Sequence, residues 1–155
     1  ESQLDRFMVR LSIGYPGRDS QVEILKKRRG IGDMDKVQAK MNEDDIKEIQ
    51  GYLYSITITD EIFYYITDLC EATRHSQMVE LGVSPRGVQA LTQLVRARAV
   101  LKERDYVIPE DVQAVFIDVC AHRLVMKPQA KIEGITAVDV LTNILKEVKA
   151  PLLRG

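Results

Sequence analysis

The stretch LGVSPRGVQAL at residues 81–91 carries the signals that begin a helix. Ser84 is a residue type that caps the free amides of a first helical turn, and Pro85 suits the first helical position because its missing N–H would have no partner there. The predicted buried face consists of residues at helical spacing: Val88, Leu91, Val95 and Ala99. Arg86 then points away from that face, so its charge is directed at something other than the core.

Length and composition predict one globular domain, with room for an appended segment. The chain has 155 residues, of which 45% are hydrophobic, and this is enough to build one substantial core. Its 22 basic and 23 acidic residues leave a net charge of -1, so the overall charge favours neither a nucleic acid nor an anionic membrane as a partner. With no apolar run near the roughly 18 residues of a membrane span and no signal peptide, we expect a soluble, cytoplasmic protein without direct membrane insertion.

The side chains that most often carry chemistry form no recognisable catalytic motif. Cys70 and Cys120 lie in apolar helical patterns, which predicts two reduced core residues rather than metal ligands. The two histidines, His75 and His122, are far apart and have no obvious nucleophile beside them. Since phosphate-binding loops and metalloprotease or hydrolase motifs are also missing from this sequence, we expect no metal site and no self-contained enzyme.

Apolar periodicity predicts a mainly α-helical bundle. The predicted helices cover residues 18–29, 42–54, 60–74, 85–102, 109–123 and 136–149. A short strand is predicted at Met8 to Ile13, before the turn signal Gly14-Tyr15-Pro16-Gly17. Its only candidate partners within the chain are the weak strand patterns at 54–59 and 130–135, so we expect a second molecule to supply the missing pairing.

Three stretches in this order resemble the C-terminal part of a MoxR-type AAA+ ATPase: ESQLDRF at 1–7, LCEATRHSQMVELGVSPRGVQAL at 69–91 and RDYVIPEDVQAVFIDVCAHRL at 104–124. The resemblance implies the helical bundle lid domain of an AAA+ ATPase at residues 18–155. Residues 1–17 would be a remnant of the α/β core, comprising an arginine-finger segment and the short strand. Family members often have a glycine where this chain has Glu103 and a threonine where it has Ile108, which puts two helix ends in doubt.

The resemblance also assigns roles to two arginines. Arg6 corresponds to an arginine finger, a catalytic residue that reaches the nucleotide of a neighbouring subunit, and Arg86 corresponds to the nucleotide-binding sensor-2 residue of the lid. An arginine supplies a planar, permanently charged fork for phosphate oxygens, in agreement with both roles. Plainer interpretations remain open: Arg86 can pair with Glu80, and Arg6 with Asp5 or Glu1. For Arg74 we expect charge compensation at a helix C-terminus.

The implied parent protein binds ATP and Mg and hydrolyses ATP to drive chaperone-like remodelling or maturation of partner complexes. Its implied partners are neighbouring subunits of a homo-oligomeric ring and von Willebrand A-type domain proteins, with no nucleic acid. The phosphate-binding loop and metal ligands would lie upstream of Glu1, so this chain alone is expected to need no cofactor and to hydrolyse no ATP. The alternative is a self-contained helical protein-interaction or DNA-binding module, with residues 85–102 as a recognition helix.

Overall fold

The computed structural model describes residues 3–27 and 37–152. Seven α-helices are found there: α1 (Arg18–Lys27), α2 (Glu43–Tyr52), α3 (Asp60–His75), α4 (Pro85–Leu101), α5 (Pro109–Cys120), α6 (Pro128–Ile132) and α7 (Ala137–Glu147). The two strands are β1 (Val79–Leu81) and β2 (Val125–Met126), and 3-10 turns occupy Leu4–Arg6, Leu53–Ser55 and Ala121–Arg123. The mainly α-helical prediction is confirmed. Residues 28 and 29 of the first predicted helix lie outside the described residues.

The chain divides into two compact units. One comprises Glu1–Arg10 together with Gly51–Gly155, and the other comprises Leu11–Gln50. The sequence predicted a boundary after Gly17, between a remnant of the AAA+ core and the lid domain. These two compact units do not test that boundary, so it stays a prediction.

Four helices of the larger unit surround one apolar core. The fully buried residues with the largest side chains come from α3, α4, α5 and α7 and from the loops that join them: Ile62, Ile66, Leu69, Val83, Leu91, Val95, Val107, Val112, Phe116, Val119 and Leu141. The predicted buried face of α4 is confirmed in outline, since Leu91, Val95 and Ala99 are buried. In α4 the face is rotated slightly, since Gly87 and Ala90 are buried while Val88 is only half-buried.

The helix starts follow the sequence signals. The Ser84 side chain accepts a hydrogen bond from the Gly87 N–H at 3.2 Å, and Pro85 occupies the first position of α4. At the start of α7, Thr136 and Asp139 cap each other's backbone amides, at 3.2 and 2.9 Å. These caps fix where the chain turns into each helix.

A two-stranded antiparallel sheet joins the loop before α4 to the loop after α5. Val79 pairs with Met126 and Leu81 with Val125, with an irregularity between the pairs. The sequence analysis did not predict this sheet. It matters because it fixes the segment that leads from α3 to Ser84.

The predicted strand at Met8 to Ile13 is wrong. These residues form no strand ladder, and Leu11 and Ile13 are 70% and 101% exposed. The backbone is held instead by the Arg10 N–H, which donates to the Asp118 carbonyl of α5 at 3.0 Å. The expectation that a second molecule completes a strand pair at this point loses its basis.

The two weak strand patterns are also not strands. Residues 130–135 contain the end of α6 and a turn in which Gly134 has φ 71°. In the other pattern a 3-10 turn is followed by a single bridge between Thr57 and Tyr106. Short apolar runs are compatible with several local structures, and here packing on the bundle decides among them.

The unit Leu11–Gln50 contains α1 and most of α2. The start of α2 is capped reciprocally by Asn42 and Asp45, at 2.8 and 2.9 Å, and none of the α2 residues is buried. No helix within the described ranges is both long enough and apolar enough to cross a membrane.

Candidate functional site

Arg86 is the second residue of α4, and its side chain is exposed. Ser84 and Pro85 fix the helix start immediately before it, so the position of the Arg86 backbone is well defined. No hydrogen bond or ion pair joins its guanidinium to any other part of the chain that the structure describes, so Glu80 is not its partner there. A charged fork is therefore left available on the first turn of a capped helix.

Arg6 ends the Leu4–Arg6 turn and is also exposed. Its backbone N–H donates to the Gln3 carbonyl at 3.2 Å, while its side chain has no ion pair within residues 3–27 and 37–152. The alternative partner Asp5 is engaged elsewhere, and Glu1 lies outside the described residues. Within the described residues, neither of the two arginines singled out by the sequence has an ion-pair partner.

Asp5 is engaged by Arg123, whose side chain is 1% exposed. The Arg123 Nη1 donates to Asp5 Oδ1 at 2.6 Å and also to the Asp5 backbone carbonyl. Its Nη2 donates to the Phe7 carbonyl at 2.6 Å, and its Nε donates to the Val119 carbonyl of α5 at 2.8 Å. The buried guanidinium therefore ties the N-terminal turn to the end of α5.

Asp5 also contacts the start of α4. The Ser84 hydroxyl donates to the two Asp5 carboxylate oxygens at 3.0 and 3.1 Å, while it accepts the Gly87 N–H that it caps. Burial alone would raise the pKa of Asp5, but the hydrogen bonds from Arg123 and Ser84, with the charges of Arg123 and Arg86, lower it overall. Asp5 is therefore ionised at neutral pH, and Arg86 lies close enough to contribute to its field.

Two residues at the end of α3 hold the loop that leads to Ser84. The buried Thr73 hydroxyl accepts the Val83 N–H at 2.9 Å, and the Arg74 Nε donates to the Val83 carbonyl at 3.0 Å. Gly82 lies directly against α3, because an added Cβ would come within 2.7 Å of the Arg74 backbone nitrogen. The predicted role of Arg74, charge compensation at the C-terminus of α3, is therefore incomplete. Its side chain also holds the loop before α4 through the Val83 carbonyl.

A cleft of about 530 Å³ lies beside these contacts. Its lining includes Asp5, Arg74, Glu80, Ser84 and Arg123. The N-terminal turn, the end of α3 and the start of α4 therefore meet around one open space on the surface of the larger unit.

The ion pair between Arg123 and Asp5 was not predicted from the sequence. A signal for Arg123 was present, because it continues the apolar stripe of α5 through Val112, Phe116 and Val119 at helical spacing. An arginine on a buried stripe needs a partner. The identity of that partner was not readable, because Asp5 lies 118 positions away in the chain.

Residues 71–144 match the family model described as the AAA lid domain. A crystal structure of a protein assigned as an ATPase, from Cytophaga hutchinsonii, matches with a TM-score of 0.87 and 28% sequence identity, covering 97% of this chain and 48% of that one. Over residues 71–144 the helical bundle is therefore similar to the lid domain of AAA+ ATPases.

The chain is also similar in sequence to several curated proteins. The chain is 35% identical over 155 residues to the uncharacterized protein YeaC of Bacillus subtilis (strain 168), covering 100% of this chain and 48% of YeaC. It is 29% identical over 160 residues to the chaperone MoxR1 of Mycobacterium tuberculosis, covering 97% and 42%. Over 76 residues it is 40% identical to the protein MoxR of Methylorubrum extorquens, covering 48% and 22%. The chain thus resembles the lid-containing part of MoxR-type AAA+ ATPases, and it spans less than half the length of each of these relatives.

Proposed function

We propose that this chain supplies two phosphate-contacting arginines to a ring-forming, ATP-hydrolysing MoxR-type protein. Arg86 acts as the sensor-2 residue on the nucleotide of its own subunit, and Arg6 acts as an arginine finger on the nucleotide of the neighbouring subunit. The observation that carries the proposal is that both guanidiniums are exposed and unpaired within the described chain, while the backbone beside each is held by hydrogen bonds.

The two arginines fit the phosphate groups of ATP, whereas the described residues offer no site for its Mg ion. A nucleotide triphosphate spreads negative charge over its terminal oxygens, and two arginine forks are suited to that charge. Among the described side chains, no group of three His, Cys, Asp or Glu residues is arranged to hold a metal ion. We therefore assign Mg coordination and the main phosphate grip to parts of the ATPase other than the residues described.

The placement of Arg86 links nucleotide contact to movement of the lid. It lies on the first turn of a helix that contributes Leu91, Val95 and Ala99 to the core, so a force on Arg86 acts on the whole bundle. Rigid-body movement of such a lid is a common way to couple hydrolysis to work on a partner. The name of the chaperone MoxR1 among the relatives supports a remodelling role. The proposed partners are neighbouring subunits of a cytoplasmic ring and von Willebrand A-type domain proteins that act together with it.

Single substitutions in an ATPase-competent protein that contains this chain test the two roles. We expect Arg6→Ala to lower kcat severely, since losses of roughly a thousandfold or more follow removal of an arginine finger, while nucleotide affinity stays nearly unchanged. For Arg86→Ala we expect weaker hydrolysis together with a changed nucleotide affinity, because the residue touches its own subunit's nucleotide in the ground state. Steady-state phosphate release and nucleotide-binding titrations measure both quantities.

Matched controls come from the same elements. Arg10→Ala removes an exposed arginine from the N-terminal segment, and Gln89→Ala removes an exposed side chain from α4. Neither is expected to change kcat or affinity. If Arg6→Ala and Arg86→Ala behave like these controls, the proposed function is wrong.

A further inference from the structure

We infer that Asp5 and Arg123 are positioning residues that couple the placement of Arg6 to the placement of Arg86. The inference rests on the proposed function and adds to it a physical link between the two arginines. The link runs from the first turn of α4 through Ser84 and Asp5 to the buried guanidinium of Arg123.

Arg123 holds the chain on both sides of Arg6. Its Nη1 binds the carboxylate and the carbonyl of Asp5, the residue before Arg6, and its Nη2 binds the carbonyl of Phe7, the residue after it. The His122 Nε2 lies 3.0 Å from the same Phe7 carbonyl. The backbone of Arg6 is therefore held on both sides, while its side chain is exposed.

The same cluster holds the start of α4. Ser84 shares its hydroxyl between the Asp5 carboxylate and the Gly87 amide, so the cap of the helix and the N-terminal turn depend on one atom. Gly87 also lies against Arg123, because an added Cβ would come within 3.0 Å of the Arg123 Cδ. A shift of the first turn of α4, which carries Arg86, is thus transmitted directly to the clamp around Arg6.

The chemistry of the clamp requires an arginine. Three nitrogens of one planar group donate in three directions, to Val119, to Asp5 and to Phe7. A lysine keeps the charge, but its single ammonium group cannot span these positions. Arg123→Lys therefore preserves the charge while it loosens the turn that holds Arg6.

The experiment uses the ATPase-competent protein that contains this chain. We expect Arg123→Lys and Asp5→Asn each to lower kcat by roughly tenfold or more with nucleotide affinity within about twofold, since small misplacements of a catalytic group lower rates to this extent. The decisive measurement is the double variant. If Arg123 acts through Arg6, adding Arg123→Lys to Arg6→Ala lowers kcat no further than Arg6→Ala alone.

A second, partly buried arginine–aspartate pair provides the control. Arg104 donates to both carboxylate oxygens of Asp111 at 2.8 and 2.7 Å, and it joins the end of α4 to the start of α5. Arg104→Lys weakens the bundle in a comparable way but leaves the turn around Arg6 intact. Hydrogen exchange of residues 6–8 should accelerate in Arg123→Lys and Asp5→Asn, and should stay unchanged in Arg104→Lys.

The outcomes separate the inference from the proposed function. If Arg6→Ala abolishes hydrolysis but Arg123→Lys and Asp5→Asn leave kcat intact, or add their full effect to that of Arg6→Ala, the coupling inference is overturned and the proposed function stands. If Arg6→Ala itself has no effect, both are overturned. Should Arg123→Lys fail to fold, Asp5→Asn decides the question alone, because Asp5 is 27% exposed and belongs to no core helix.

Discussion

Asp5 and Arg6 are neighbours in one turn of the chain, yet their side chains have different surroundings. The Asp5 carboxylate is held by Arg123 and Ser84, and the Arg6 guanidinium is exposed. An ordered backbone beside a free charge is what a residue that must meet a ligand in a fixed position requires. In the proposed mechanism, Asp5 holds the turn in place and the exposed Arg6 contacts the nucleotide.

At the other end of α4, one residue adopts a backbone conformation that favours glycine. Glu103 has φ 56°, and its N–H donates to the Val100 carbonyl at 2.8 Å while the Arg104 N–H donates to the Ala99 carbonyl at 3.0 Å. This pattern is the Schellman motif, which usually ends in glycine. Members of the family that the chain resembles often have a glycine at this position. Glu103 is therefore a site of local backbone strain.

We expect Glu103→Gly to stabilise the chain by about 0.5–1 kcal/mol, because a left-handed residue with a Cβ is strained by about 1–2 kcal/mol and glycine's greater freedom in the unfolded chain offsets part of the gain. Urea or thermal unfolding of the isolated chain measures the change. Glu103→Ala is the control, since alanine removes the charge but keeps the Cβ. Equal stabilisation by alanine and glycine would show that the backbone conformation is not the cause.

At the scale of elements, the start of α4 depends on the end of α3. Thr73 and Arg74 satisfy the N–H and the carbonyl of Val83, so neither polar group of that buried residue is left unpaired. The β1–β2 pairing holds the same segment from the other side. The loop that precedes Arg86 is therefore fixed by the end of α3 on one side and by the β1–β2 pairing on the other.

We expect Thr73→Val to destabilise the chain by about 1–3 kcal/mol, because it keeps the shape of the side chain but leaves the Val83 N–H buried without an acceptor. Thr142→Val in α7 is the matched control. Its hydroxyl bonds to the Val138 carbonyl on the exposed face of the helix, so its loss should change stability by less than about 0.5 kcal/mol. Equal effects of the two variants in chemical denaturation would mean that the loop is not held by Thr73.

The sequence predicted the long helices well and the short elements poorly. Helices α3, α4 and α5 carry sustained apolar periodicity and clear start signals such as Pro85 and Pro109, so their type and their first residues were predictable. The strands β1 and β2 have three and two residues, too few to show alternation. Met8 to Ile13 did show alternation, but a strand also needs a partner, and that information is not local.

The candidate site was predictable only where local sequence patterns determine it. The exposure of Arg86 followed from the helical pattern around it, whereas the roles assigned to Arg6 and Arg86 came from the family resemblance. The contacts between Asp5 and Arg123 join residues at opposite ends of the chain, so no local pattern could reveal them. The prediction for Arg74 fell short because its partner, the Val83 carbonyl, belongs to a loop whose path depends on tertiary packing.

At the scale of the whole molecule, the larger unit is a bundle whose N-terminal turn is attached by an ion pair and individual hydrogen bonds rather than by a sheet. Arg123 and Ser84 attach it through Asp5, and the Arg10 amide attaches it to α5. In the proposed ring, this turn carries Arg6 to a neighbouring subunit while the bundle carries Arg86 to its own nucleotide. The central claim is therefore that one arginine acts across a subunit boundary and the other acts within its subunit.

Mixing subunits of the ATPase-competent protein tests that claim most directly. Subunits that cannot bind nucleotide but keep Arg6 are mixed with Arg6→Ala subunits or with Arg86→Ala subunits, and ATP hydrolysis of each mixed assembly is measured. We predict that the first mixture regains activity, because the intact pocket of an Arg6→Ala subunit receives the arginine of its neighbour. The second mixture should gain no activity over Arg86→Ala alone, because the Arg86→Ala defect lies in the subunit's own pocket. Equal recovery of both mixtures, or recovery of neither, would contradict the assignment of Arg6 and Arg86.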